Sequence, residues 1–295
     1  MTMRIIILGA AAGGGLPQWN CGCANCDAAR AGHIPALTQS SVAVSADGRD
    51  WAVLNASPDI RHQLSMTPAL HPTGPRDMPL RSVLLTNGDI DHVAGLLTLR
   101  ESQPFDLFAT AAIHDALAQN PMLGALRGDL VPRRTIRLDQ GFDLLPGLRA
   151  VLFAVPGKVP LYQEGAVVET GLMGETTVGV ELTAGGRRAF YIPGCAEMPD
   201  WLARRIDGAD ALFFDGTLWD DDEMIRMKLG QKTGRRMGHM PARESLETLA
   251  GIRLGRRVFV HMNNSNPLTD PRSSQTAQAV AAGWQVAQDG MEVTL

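Results

Sequence analysis

Short apolar runs bounded by turn-forming residues dominate this chain, and few stretches carry helical spacing. Arg4 to Leu8, rich in Ile, predicts a β-strand. Ser40 to Ala46 and Trp51 to Asn55 flank Asp47-Gly48, a strong hairpin signal. Ser57-Pro58-Asp59-Ile60 predicts a helix start with Pro in its first turn. Val83-Leu84-Leu85 has the unbroken apolar character of a strand covered on both faces. Apolar residues then resume at helical spacing, so a helix is expected from about Asp91 to Glu101. Phe105 to Ala109 reads as a strand and Ala111 to Gln119 as a helix bearing His114. Thr135 to Leu138 and Leu148 to Val155 read as strands, with a turn at Pro146-Gly147. Thr176 to Leu182 and Arg188 to Ile192 predict a hairpin, and Ala211 to Asp215 a buried strand. Arg257 to Val260 is a strand delivering His261 to its end. A helix over Pro271 to Ala282 and a final hairpin through Asp289-Gly290 close the chain. This order predicts an α/β protein of two sheets sandwiched between helices. No repeat or linker is evident, so one domain is expected over 1–295.

Composition changes that picture little. With 45% hydrophobic and 20% charged residues, the chain is ordinary globular material and not generally disordered. A net charge of -4 without a long basic run gives no argument for nucleic acid. No stretch approaches the roughly 18 apolar residues of a membrane span. The apolar start runs into Gly9 to Gly15 and a cysteine cluster instead of a cleavage site, so a first strand in a cytoplasmic protein is expected.

The chemistry concentrates in two places. Asn87, Asp89, Asp91 and His92 lie where the apolar strand meets a helix start. Two carboxylates so close are costly to bury unless a cation neutralises them. A helix cap accounts for one carboxylate only. A metal held by Asp89, Asp91 and His92 accounts for the whole group. Cys21, Cys23 and Cys26 are too tightly spaced to pair easily with one another and read as ligands of a structural Zn2+ that needs one more donor. Asp215 either orients a metal-bound His or caps the next turn. Lys158 reads as a solvated loop lysine, Asp220 to Glu223 as a solvated face, and His62 and His71 as surface histidines. The glycine-rich turn fits neither phosphate-loop spacing, so a tight backbone turn is the expectation there.

Thr86-Asn87-Gly88-Asp89-Ile90-Asp91-His92 resembles the Thr-His-x-His-x-Asp-His motif of the metallo-β-lactamase superfamily, with Asn87 and Asp89 replacing its first two histidines. The resemblance implies the αββα sandwich, with His261 as the last-motif metal ligand. It also exposes departures. Val155 to Pro160 lacks the third-motif His, and Cys195 stands where hydrolases carry a metal-bridging Asp. Similarity to the tRNA-nuclease branch implies an acid/base or substrate-contact role for His239. Similarity to a cyclic-phosphate phosphodiesterase with the same cysteine cluster puts the fourth zinc ligand at Asn264. As Asn is a poor zinc ligand, His33, a water or a distant residue stays open. Cys195 reads as a structural thiol beside the site, with a substrate contact or an unusual metal ligand as the alternatives.

Taken together, AAAGGGLPQWNC, TNGDIDHVAGLL, FAVPGKVPLY and HMNNSNP resemble the branch of the superfamily that serves pyrroloquinoline quinone (PQQ) biosynthesis. That resemblance implies hydroxylation of the tyrosine ring of a Glu-Tyr precursor derived from a ribosomally made peptide. Fe2+ would be held by His92, His261, Asp89 and Asp91, a set that suits non-haem iron better than a closed zinc site. Asn87, His239 and Asn263 would position substrate or move protons. Expected partners are the peptide-derived substrate or a PQQ intermediate, other pathway proteins and a second copy in a homodimer. Two rivals stand beside this reading: a carrier of PQQ or its precursor toward the periplasm, and a hydrolase using metal-bound hydroxide.

Overall fold

The computed structural model describes residues 2–165 and 169–295. Its first sheet takes β1 (Arg4–Gly9), β2 (Ser41–Ser45), β3 (Trp51–Leu54), β4 (Leu80–Leu84), β5 (Asp106–Ala109) and β6 (Arg133–Thr135). The second takes β7 (Gly141–Leu145), β8 (Leu148–Ala154), β9 (Val178–Ala184), β10 (Arg187–Ile192), β11 (Ala209–Asp215), β12 (Leu254–Val260) and β13 (Gln285–Val286). The last strand, β14 (Glu292–Thr294), returns to the first sheet beside β1. The spatial orders are β14-β1-β2-β3-β4-β5-β6 and β13-β12-β11-β10-β9-β8-β7. In each sheet antiparallel pairing gives way to parallel pairing, at β3–β4 in one and β10–β11 in the other. Helices α1 (Ala24–Arg30), α2 (Ile60–Met66), α3 (Ile90–Val93), α4 (Ala111–Ala118), α5 (Asp200–Ile206), α6 (Glu223–Arg226), α7 (Ala242–Thr248) and α8 (Ser274–Ala281) complete the α/β sandwich. Among the described residues no helix is long and apolar enough to cross a membrane.

Alternation decides which side chains fill which layer. Ile5, Ile7, Val42, Val44, Ala52 and Leu54 point into the core between the sheets. Their neighbours Ile6, Leu8, Ala43, Trp51 and Val53 pack with Ile60, Leu96, Ile113 and Leu117 under the outer helices. Both faces are buried, which is why these strands read as unbroken apolar runs.

Several expectations are corrected by long-range contacts. The helix expected over Asp91 to Glu101 is one α-turn, α3, followed by a 3-10 helix over Ala94–Arg100. Gly95 donates its N–H to Ala56 O at 2.9 Å, and a Cβ there would meet Ser57 O at 2.0 Å. Backbone contact with the neighbouring loop therefore takes the donor an α-helix would use. The strand placed at Thr135 to Leu138 begins earlier, because β5 pairs with Arg133–Thr135 while Ile136 and Leu138 pack on the core. The final hairpin does not form. β13 pairs with β12 and β14 with β1, and Asp289 pins the crossing by accepting N–H bonds from Ala10 at 2.9 Å and Thr38 at 2.8 Å. Nor is Glu223 solvated: it is buried and accepts from Trp219 N and the Ser265 hydroxyl.

Candidate metal centre

The polar motif leaves the C-terminal end of β4, and Asp215 and His261 stand at or just after the ends of β11 and β12. These are parallel strands of both sheets, and carboxyl ends of parallel strands are where open α/β sheets place their ligand sites. Asn55, with a φ of 61°, holds the start of the motif by accepting the Thr86 N–H at 2.9 Å.

Asn87 builds the next part. Its Oδ1 accepts from Asp89 N at 3.1 Å and from His92 Nδ1 at 2.7 Å. With the His92 proton on Nδ1, Nε2 carries a lone pair, and that atom is buried with no hydrogen-bond partner. His261 is oriented the same way, through Nδ1 to Thr217 Oγ1 at 2.8 Å. Thr217 passes the bond on to Asp215 Oδ1 at 2.7 Å. The His261 backbone sits at φ 59°, a left-handed conformation costly for a side-chain-bearing residue and common at functional sites. Asp91 Oδ2 lies 3.1 Å from His261 Nε2 and 3.8 Å from His92 Nε2. Asp91, His92 and His261 bring one donor atom each within 4.8 Å of the others, close enough to share one ion. The buried, unpartnered His92 nitrogen and the adjacent carboxylate fit a divalent metal; nothing else nearby satisfies that nitrogen.

Charge in the cluster is uneven. Burial pushes His92 down to about 4, and its histidine neighbours push the same way. Burial opposes ionisation of Asp91, but His92 and the His261 hydrogen bond outweigh it and hold the carboxyl below the usual range. Burial also opposes charging His261, yet Asp91 outweighs it and raises that histidine. His92 is therefore neutral near pH 7, whereas His261 holds its second proton to higher pH than a free imidazole does, and that proton competes with metal for Nε2. Metal affinity should rise with pH, by up to about tenfold per unit, until the raised His261 value is passed, with about one proton released per metal. Calorimetric metal titrations in buffers of different ionisation enthalpy would read that proton directly.

His239 stacks on His261 with ring centroids 5.3 Å apart, and its Nδ1 donates to Asp215 Oδ2 at 2.7 Å. That bond leaves the ring's lone pair on His239 Nε2. Asp215 is fully buried, and the N–H groups of Cys195 and Thr217 donate to its Oδ2 and Oδ1 respectively. Asp215, His239 and His261 also lie close enough to form a ligand group. Their approaching groups already serve this hydrogen-bond network, so the first cluster is the better metal site.

Other expected residues are placed elsewhere. Asp89 is not in the cluster: its Oδ1 accepts the Leu161 N–H at 3.2 Å, and burial followed by Asp91 raises its carboxyl. Asn263 turns toward Ser265 and Met224, because the chain swings away from the cluster after His261. Cys195 is buried, its thiol donating to Glu197 O at 3.0 Å and held up by burial and by Asp215. Thr217, which links His261 to Asp215, was not singled out by sequence, although its place just after the β11 carboxylate was a usable signal. The glycine-rich turn does pass beside the site, as expected; a Cβ on Gly13 would stand 3.5 Å from Asp91.

The cysteines form a second group at the start of α1. Asn264 lies over all three, its Nδ2 3.2, 3.5 and 3.4 Å from the sulfurs of Cys21, Cys23 and Cys26. Turning that amide over would present Oδ1 at the same place, so the arrangement accommodates three thiolates and an amide oxygen about one Zn2+. His33 is exposed and outside the group.

Residues 50–262 match the family model described as the Beta-lactamase superfamily domain. The chain belongs to that superfamily. A coenzyme PQQ synthesis protein B from Ruegeria pomeroyi is 58% identical over 296 residues, covering 99% of this chain and 100% of the relative. The crystal structure of Zn2+-bound PqqB from Methylobacterium extorquens is 53% identical, with a TM-score of 0.97 over 99% of this chain and 100% of that one. Within the superfamily, the chain belongs to the coenzyme PQQ synthesis protein B family. A diphosphatase of the PhnP family, 19% identical with a TM-score of 0.73 over 100% of this chain and 98% of its own, shares the fold.

Proposed function

We propose that this protein acts in PQQ biosynthesis as a metal- and oxygen-dependent hydroxylase of the tyrosine ring of a Glu-Tyr precursor. Family membership supports the pathway. The reaction is supported chiefly by one observation: a two-histidine, one-carboxylate cluster, Asp91, His92 and His261, whose His92 Nε2 lacks a partner. Three protein donors leave positions open, as in iron sites that use oxygen. The positions where dinuclear hydrolases keep further ligands carry Asn87, Asp89 and Cys195, and each is engaged elsewhere. Fe2+ held by Asp91, His92 and His261 would supply the oxygen chemistry. Asn87 and Thr217 keep the two ligand rings in the tautomer that presents Nε2. His239, fixed through Nδ1 by Asp215, accepts a substrate proton at Nε2. Other pathway proteins would release the Glu-Tyr unit from its peptide.

Protein loaded anaerobically with Fe2+ and supplied with a two-electron reductant such as ascorbate is expected to consume oxygen when glutamyl-tyrosine is added, giving a product one oxygen atom heavier, with the second oxygen atom leaving as water. Tight binding of the quinone with no turnover would shift the assignment to a carrier. Oxygen-independent cleavage of a phosphodiester would shift it to a hydrolase.

A further inference from the structure

Three cations converge on one buried carboxylate beside the metal cluster. Glu164 Oε1 pairs with Lys158 Nζ at 3.1 Å, while Oε2 faces Arg236 at 3.3 Å and Lys232 at 3.6 Å. Lys158 follows β8, whereas Lys232 and Arg236 come from the segment between α6 and α7. The inner pair is desolvated, with side-chain exposures of 12% for Lys158 and 8% for Glu164. This corrects the expectation of a solvated Lys158. The Lys232 and Arg236 side chains are 42% and 38% exposed.

Glu164 and Asp89, which also acts on Lys158, carry at most two negative charges against three cations, and residues 166–168 bring no charge. Arg236 Nη1 is buried without a hydrogen-bond partner, so part of a guanidinium fork suited to bidentate carboxylate binding is unused. A structural ion pair needs only Lys158 and Glu164; the two further, partly exposed cations are left unexplained by it.

The cluster is attached to the metal motif. Tyr162 donates its hydroxyl to Gly88 O at 2.8 Å, two residues before Glu164, and Leu161 N bonds Asp89. On the other side, the stem of Lys158 packs on Gly238, immediately before His239. At Gly238, where φ is 89°, a Cβ would approach Lys158 Cγ to 3.3 Å, so glycine lets the two segments close together.

Resting on the hydroxylase reading for the ligand's identity, we propose that Lys158, Lys232 and Arg236 form a subsite for the carboxylates of a substrate bearing more than one. Glu164 is the internal anchor that holds these cations in position, and the surplus positive charge is what the substrate neutralises. The subsite sets which end of a tyrosine-bearing ligand lies away from the metal.

Equilibrium binding to metal-loaded protein without oxygen tests this. The probes are glutamyl-tyrosine and the same dipeptide with both carboxyls amidated. Wild-type protein should prefer the free dicarboxylate, and added salt should erode the preference. Arg236→Gln should weaken glutamyl-tyrosine binding by about tenfold or more and leave the diamide within about twofold. Lys232→Met should act in the same direction, and Arg236→Lys should recover part of the loss. Metal content should be unchanged in all three, which separates the effect from a folding defect. Equal losses on both probes, no loss on either, or a wild-type protein that fails to distinguish or to bind them would overturn the proposal. Absence of turnover would overturn the hydroxylase reading while leaving these affinities standing.

Discussion

His92→Ala is expected to empty the central metal site while the cysteine-bound zinc stays in place. His92 supplies the donor atom with no other partner, and its loss leaves only Asp91 and His261 from the cluster. Removal of a residue that merely orients a ligand costs about 10- to 100-fold in metal affinity or activity. Removal of the ligand itself should exceed that, so turnover should fall by more than about a hundredfold. Folding should suffer less, since the orphaned nitrogen is removed with the ring and Asn87 can still cap Asp89 N. Elemental analysis beside an oxygen-uptake assay is the check. Retention of a full complement of both metals would refute the assignment of His92.

The second large effect is on stability. Cys23→Ala should release the zinc and lower Tm by more than about 10 °C. Structural zinc binding in small peptides is worth roughly 10–16 kcal/mol, comparable to the entire stability of many domains. Here a large apolar core shares the load, so the protein should stay folded at room temperature but melt early. The loss falls on the join between α1 and the loop after β12, where Asn25 Nδ2 also bonds Asn264 O at 3.0 Å and Asn266 O at 3.1 Å. Calorimetric melting with and without a chelator separates the metal's share: the chelator should lower wild-type Tm and leave the variant's almost unmoved.

What sequence made visible, and what it hid, follows from the range of the interactions involved. The strands were legible because both faces of the sheets are covered, leaving unbroken apolar runs. The cysteine group and His92 were legible because several donors crowd a short stretch. Residues 91–101 misled because the carbonyl that captures Gly95 belongs to Ala56, outside any local window. The last two strands misled because a turn signal cannot say that its arms enter different sheets. Asp89 and Asp91 are equivalent in spacing arguments; only the Leu161 amide on one and His261 on the other tells them apart. Asn87 was read as a substrate or proton-transfer residue, whereas its hydrogen bond puts it behind His92. Lys158 looked solvated since its counter-ion, Glu164, lies in a loop whose fold leaves little local pattern.

Both metal groups tie an early stretch of the polypeptide to a late one. Asp91 meets His261 across 170 positions, and Cys21 meets Asn264 across 243. A chain growing from its N-terminus thus exposes three thiols and a half-made set of ligands for most of its synthesis, until the loop after β12 arrives. With metal held at both groups, loading would be a late event, and the thiols would have to stay reduced and free of mismatched metals in the interval. Expression under zinc limitation or oxidising stress should act on the nascent chain more than on the finished protein.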